Sequence, residues 1–257
     1  VLQASDDRPP ASDGGDPSPG APPTPIGERL VALLEVLICS DFPTQLALSA
    51  TFAALGFAPF GPNGELRVTY VAALSFLDTI LLVGLILFFL RAHGERPFDV
   101  LLGSRPIGGE IRYGIPLTFV VLVVGIGTLV AIRYFLPSLR TVEVNPLEGL
   151  LGTPGDAWLF AVVVVVAGGV REEIQRGFLL HRFERWLGGG TVGVIATSAA
   201  FGTGHLLQGA DAAIVTGLLG ALWGVVYLRR RSVVSPMVSH AGFDLLQILQ
   251  FLAVRRL

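Results

Sequence analysis

The chain has 257 residues, 52% of them hydrophobic and only 15% charged, with a formal net charge of −2 and a mean hydropathy of +0.67. Soluble domains carry about 25% charged residues, so this composition argues against a water-soluble globular domain and for an integral membrane protein. Its arginines form no basic patch beyond those flanking apolar runs, which excludes nucleic acid as a partner, and the lone Cys39 excludes an internal disulfide and a Cys/His zinc cluster.

Residues 1–27 are rich in Pro, Gly, Ser and Asp and bury too little apolar surface to offset ordering entropy, so this stretch reads as a disordered tail. A transmembrane domain over 28–257 is expected to follow, an all-α polytopic bundle of about seven to eight helices with polar site residues inside it. Apolar runs of about 20 residues suit a hydrocarbon core of about 30 Å. The first lies within 30–57, interrupted by Ser40, Asp41 and Pro43. The second covers Tyr70–Leu90 with Asp78 in it, and the third Ile115–Leu136. The fourth starts near Trp158, passes through Val162–Val166 and continues into Arg171–Phe183. Thr191–Leu207, Ala212–Leu228 and Pro236–Val254 complete the series. Gly217, Gly220 and Gly224 in the sixth run permit close helix approach, either as ordinary packing or as a dimer face.

Arginines alternate between the connections. Arg91, Arg96, Arg105 and Arg112 follow the second run, Arg182 and Arg185 the fourth, and Arg229, Arg230 and Arg231 the sixth. The positive-inside rule assigns these loops and the tail to the cytoplasmic side, and an odd number of spans then puts the C-terminus outside.

Inside these apolar runs sit three pairs of residues spaced four apart: Glu172 with Arg176, Phe201 with His205, and His240 with Asp244. Residues at that spacing share one helix face. Ionisable groups at bilayer depth are costly, about 2.5–3.5 kcal/mol on insertion scales, and by default mark function. A glutamate can act as general base on water, a histidine can share that water or protonate a leaving amine, and a second His/Asp face can stabilise an oxyanion. That set suits amide hydrolysis within the membrane, and no serine elbow, HExxH helix or phosphate loop competes with it. The bland readings are a solvated helix end for Glu172, Glu173 and Arg176, a packing histidine at His205 and a structural pair at His240–Asp244. Glu35 and Asp78 match no motif.

At these residues the chain resembles the glutamic intramembrane proteases of the CAAX prenyl protease and bacteriocin-processing type, the CPBP or Abi family. The family pattern is a glutamate pair followed by Arg, then FxxxH, then HxxxN or HxxxD, on separate helices. Phe201–His205 matches the second motif and His240–Asp244 the third, in the right order, and the resemblance covers roughly residues 150–250. It departs from the pattern in two places. Arg176 stands four residues after Glu172 where the family has five, so a register taken from the acids makes Glu172 the catalytic residue, whereas one taken from Arg176 puts Arg171 there. Asp244 stands where Asn is common. The resemblance implies an intramembrane endopeptidase in which Glu172 or Glu173 and His205 activate water, Arg176 orients the acid, and His240 with Asp244 supports the tetrahedral intermediate. It implies no cofactor or metal, a membrane-associated peptide or protein as substrate, and, in a bacterium, the inner membrane as location. Three other readings stay open on the residues alone. They are a zinc-dependent protease using Glu172 or Glu173 with His205 and His240, a non-catalytic membrane scaffold or immunity protein, and a transporter with a proton relay.

Overall fold

A computed structural model describes residues 25–62 and 64–255. Residues 1–24, which hold nearly all of the tail expected over 1–27, lie outside the described residues. The helices in chain order are α1 (Ile26–Ile38), α2 (Phe42–Ala54), α3 (Val68–Ala92), α4 (Pro97–Leu101), α5 (Ile107–Phe135), α6 (Pro154–Val163), α7 (Glu172–Trp186), α8 (Gly190–Gly204), α9 (Ala210–Arg230) and α10 (Val234–Arg255). A π-helical segment, Val164–Arg171, joins α6 to α7 without a break in the rod. No β-strand occurs among the described residues.

Each apolar run has its helical counterpart, but they are unequal as membrane spans. Four helices, α3, α5, α9 and α10, are long and apolar enough to cross a membrane, and the α1–α2 pair, bent by 42°, makes a fifth if taken as one span. Of the ten α-helices among the described residues, against about seven to eight expected for the bundle, four or five qualify as spans on length and composition. The rod of α6 and α7 is interrupted by Arg171, Glu172, Glu173 and Arg176, and α8 has only 15 residues. Large side chains such as Ile80, Phe88, Phe119, Val123 and Leu249 face outward, a surface that hydrocarbon covers and water does not.

Ion pairs gather the Arg-rich connections at one end of the bundle. Glu95, between α3 and α4, accepts bonds from Arg182 and Arg185 and contacts His181 at 2.7 Å. Arg231 pairs with Glu184, Arg230 with Glu110 at 2.7 Å, and Glu28 near the start of α1 accepts from the Trp186 indole at 3.1 Å. At the opposite end Arg133 reaches Asp211 at 2.9 Å, and Asn145 lies 3.4 Å from Gln208. Ile248, late in α10, packs with Leu150 and Ala157, away from the Arg-rich end where α10 begins. Helix α1 thus begins at the Arg-rich end of the bundle and α10 finishes at the opposite end.

Small residues set how closely helices approach around the site. A Cβ on Gly202 would come within 2.7 Å of the Ala213 carbonyl and 3.2 Å of the Gly217 Cα, while Gly220 lies against the Phe201 ring and Gly224 against Val194. The GxxxG of α9 therefore serves packing on α8 within one chain. A capping box at Thr153 and Asp156, with bonds of 3.1 and 3.2 Å, starts α6; it satisfies two donors that a helix start otherwise leaves unpaired.

Candidate active site

The site is built on three elements: the π-helix with the first turn of α7, the end of α8, and the middle of α10. A π-helix closes i→i+5 hydrogen bonds and is seldom kept except where function requires its geometry. Here it brings Gly168 and Gly169 against α10. A Cβ on Gly168 would lie 2.7 Å from Asp244 Oδ2, and one on Gly169 would lie 2.6 Å from Ala241 Cβ. Nothing larger than glycine leaves room for α10 to place His240 and Asp244 beside the two glutamates.

Glu173 is the buried acid, 1% exposed. Its Oε1 accepts from Arg176 Nη1 and from His240 Nδ1, the latter at 2.8 Å. The pairing of Glu172 with Arg176 expected from their spacing is not the one formed. Positions three and four apart are both neighbours on a helix, and the arginine goes to the carboxylate that has no access to water. Arg176 also lies 4.7 Å from the Phe201 ring centroid and 5.6 Å from that of Trp223, an arrangement in which ring quadrupoles face the cation.

Glu172, with a side chain 18% exposed, bonds instead to its neighbour Arg171, Nη2 to Oε1 at 3.2 Å. Its other oxygen lies 3.9 Å from His240 Nε2, which is 3.8 Å from Asp244 Oδ2. Both separations exceed a direct hydrogen bond. The His240 ring stacks on Trp223 with centroids 4.0 Å apart and planes 20° from parallel, and the Trp223 indole donates to Ser239 Oγ at 3.1 Å.

His205 is not inside a helix but closes α8 as its C-cap. Its Nδ1 lies 2.8 Å from the Phe201 carbonyl. A carbonyl only accepts, so Nδ1 carries the proton and Nε2 of the neutral ring is left as a base. The Phe201 ring packs edge-on to both His205 and His240, at 4.8 and 6.0 Å.

A cavity of about 330 Å³ separates α8 from the start of α7 and the corner between α1 and α2. Glu172, Arg176, Phe201 and His205 line it, together with Arg171 and Asp41. Glu173, His240 and Asp244 are not among the lining residues and form a layer behind Glu172. The predicted residues thus fall into a facing set and a supporting set. No three His, Cys, Asp or Glu side chains converge as metal ligands among the described residues.

Sequence reasoning met Arg171 only as an intruder in the motif register and gave it no partners, whereas its guanidinium also bonds Asp41 and Asp78; Trp223 it passed over. Two acids stranded in apolar runs and one arginine at an apolar helix end are a signal for the first, because buried charges need partners. The stacking of Trp223 had no signal in one sequence.

No curated protein and no solved structure matches the chain. Residues 154–246 match the family described as type II CAAX prenyl endopeptidase Rce1-like. That interval runs from the first turn of α6 to just past Asp244 and contains every residue of the facing and supporting sets. Over this interval the membrane-helical chain is therefore similar to the type II CAAX prenyl endopeptidase Rce1-like family.

Proposed function

We propose that the protein is an intramembrane endopeptidase that hydrolyses a peptide bond with water activated by Glu172 and His205. The observation that carries this reading is that these two side chains, from different helices, line one cavity of about 330 Å³, within the range of small-ligand sites. Water entering between them gives a proton to the Glu172 carboxylate as its oxygen attacks the scissile carbonyl, and His205 Nε2 holds the same water in line. As the C–N bond of the tetrahedral intermediate breaks, that proton passes to the leaving amine, releasing one new carboxyl and one new amine end.

The buried layer acts through geometry and charge. Arg176 neutralises Glu173, Glu173 holds His240 by Nδ1, and His240 presents Nε2 toward Glu172 and Asp244. Of this set Arg176 also lines the cavity and is the cation that meets charge building on the intermediate. Asp244 stands where Asn is more common and lies 3.8 Å from His240 Nε2, so its part is to orient His240. The substrate is a membrane-associated peptide or protein that reaches the bundle from the bilayer.

Purified protein presented with a library of membrane-embedded peptides tests the reading. Wild type is expected to cleave, while Glu172→Ala and His205→Ala lose turnover and remain folded. Equal cleavage by wild type and both variants rules out the assignment.

A further inference from the structure

Arg171 precedes the two glutamates and stands where a register taken from Arg176 puts the first acid, yet it is buried and bonds at each nitrogen of its guanidinium. Nε donates to the Ala167 carbonyl at 3.4 Å, inside the π-helix. Nη1 donates to Asp78 on α3 and to Asp41 at the α1–α2 corner. Nη2 donates to Glu172 at 3.2 Å. Among the described residues, Arg171 is the side chain to which the Glu172 carboxylate bonds directly. Asp78 is 1% exposed and is absent from the cavity wall, so it reaches the cavity through Arg171. Asp41 holds a left-handed backbone with φ of +79°, a conformation that a non-glycine residue keeps only where its surroundings enforce it.

We propose that Arg171, aimed by Asp78, is the positioning residue for Glu172, giving each glutamate its own arginine. Arg176 holds Glu173 in the buried layer, and Arg171 holds Glu172 at the cavity wall. A guanidinium is a planar fork of fixed geometry. With Nε tied to the π-helix and Nη1 to α3, the third nitrogen fixes where the Glu172 oxygens point. The inference rests on the hydrolytic reading above.

The test measures kcat and KM on a membrane-embedded peptide that wild type cleaves, with thermal midpoints of all proteins in the same detergent. The variants are Asp78→Asn, Arg171→Lys and Arg171→Gln, with Glu172→Gln as the control. Asp78→Asn and Arg171→Gln are expected to lower kcat by about tenfold or more while KM stays within about twofold, since displacement of a reacting group by about 1 Å costs on that scale. Arg171→Lys keeps the charge, loses the fork, and recovers only part of kcat. The Asp78→Asn/Arg171→Gln double variant is expected to match Arg171→Gln, because both changes act through one group. A purely structural role lowers the midpoint and leaves kcat of the folded fraction intact, which overturns the proposal, as does wild-type kcat in Asp78→Asn or Arg171→Lys. Should Arg171→Gln fail to fold, Asp78→Asn and Arg171→Lys decide the matter. An inactive Glu172→Gln beside fully active Arg171 and Asp78 variants overturns positioning alone. An active Glu172→Gln, or a wild type inert on the whole library, overturns the hydrolytic reading beneath it.

Discussion

Replacing Gly169 by alanine tests whether the site depends on the close approach of the π-helix to α10. The new methyl would sit 2.6 Å from Ala241 Cβ and 3.2 Å from its Cα and nitrogen. These are backbone and near-backbone atoms, which no rotamer change moves aside. Non-bonded carbons settle at about 3.5 Å or more, so α10 must retreat by roughly 0.9 Å, the difference from 2.6 Å. His240 is the adjacent residue, and its bond to Glu173, 2.8 Å long, then stretches to roughly 3.7 Å, past the range of a hydrogen bond. Overpacking costs about 1–3 kcal/mol, and the restricted unfolded chain returns roughly 0.4–1, so the net loss is at most about 2.6 kcal/mol. Turnover is expected to fall about 10- to 100-fold, the scale set by misplacements near 1 Å. The assay pairs thermal unfolding in detergent with peptide cleavage, using Gly127→Ala as control. A Cβ on Gly127 of α5 meets nothing within 4 Å, so that variant keeps wild-type activity. A folded Gly169→Ala protein with wild-type turnover would refute the claim that the glycine contact holds the supporting layer in register.

Three further outcomes are expected. Arg176→Ala leaves Glu173 buried without its cation and should cost about 3–5 kcal/mol in thermal unfolding. Ser239→Ala strips the Trp223 indole of the acceptor it meets at 3.1 Å and should cost about 1–3 kcal/mol, the scale for an orphaned buried donor, with Ser239→Thr recovering part of it. Glu95 lies in the α3–α4 connection, outside the spans; burial pushes its carboxyl up, but bonds from His181 and Arg182 outweigh this and bring it down to about 2 from an ordinary 4.5. A depressed acid stabilises the fold fully above its unfolded value and loses that contribution as pH falls through its folded value. The wild-type midpoint should therefore drop between pH 4.5 and 2, and Glu95→Gln should flatten that part of the profile; identical slopes would show that Glu95 is not the group responsible.

The fold class was legible because hydropathy is local: each apolar run of about 20 residues announces itself without knowledge of its neighbours. The Arg-rich loops were legible for the same reason, and Glu95, Arg182, Arg185 and Arg231 do collect at one end. The span count was less so. Whether Ile26–Ile38 and Phe42–Ala54 make one span or two depends on a corner of three residues, and the run into Arg171–Phe183 is apolar only until the charges begin.

Within the site, the spacing rule named the right face but not the right partner. Arg176 lies within helical reach of both Glu172 and Glu173, and the choice turned on burial, which comes from α10. The π-helix is equally silent in the sequence, since Val164–Arg171 reads as ordinary apolar helix until Gly168 and Gly169 are seen against Asp244 and Ala241. Arg171 was the hardest to place. It meets Asp78 across 93 positions and Asp41 across 130, and no pattern within one helix carries that information. An arginine in the position before two glutamates looks like an intruder in the motif; once Asp78 on α3 and Asp41 at the α1–α2 corner are in view, it is the cation that ties Glu172, turned to the cavity, to those two acids, while Arg176 pairs with Glu173, turned away.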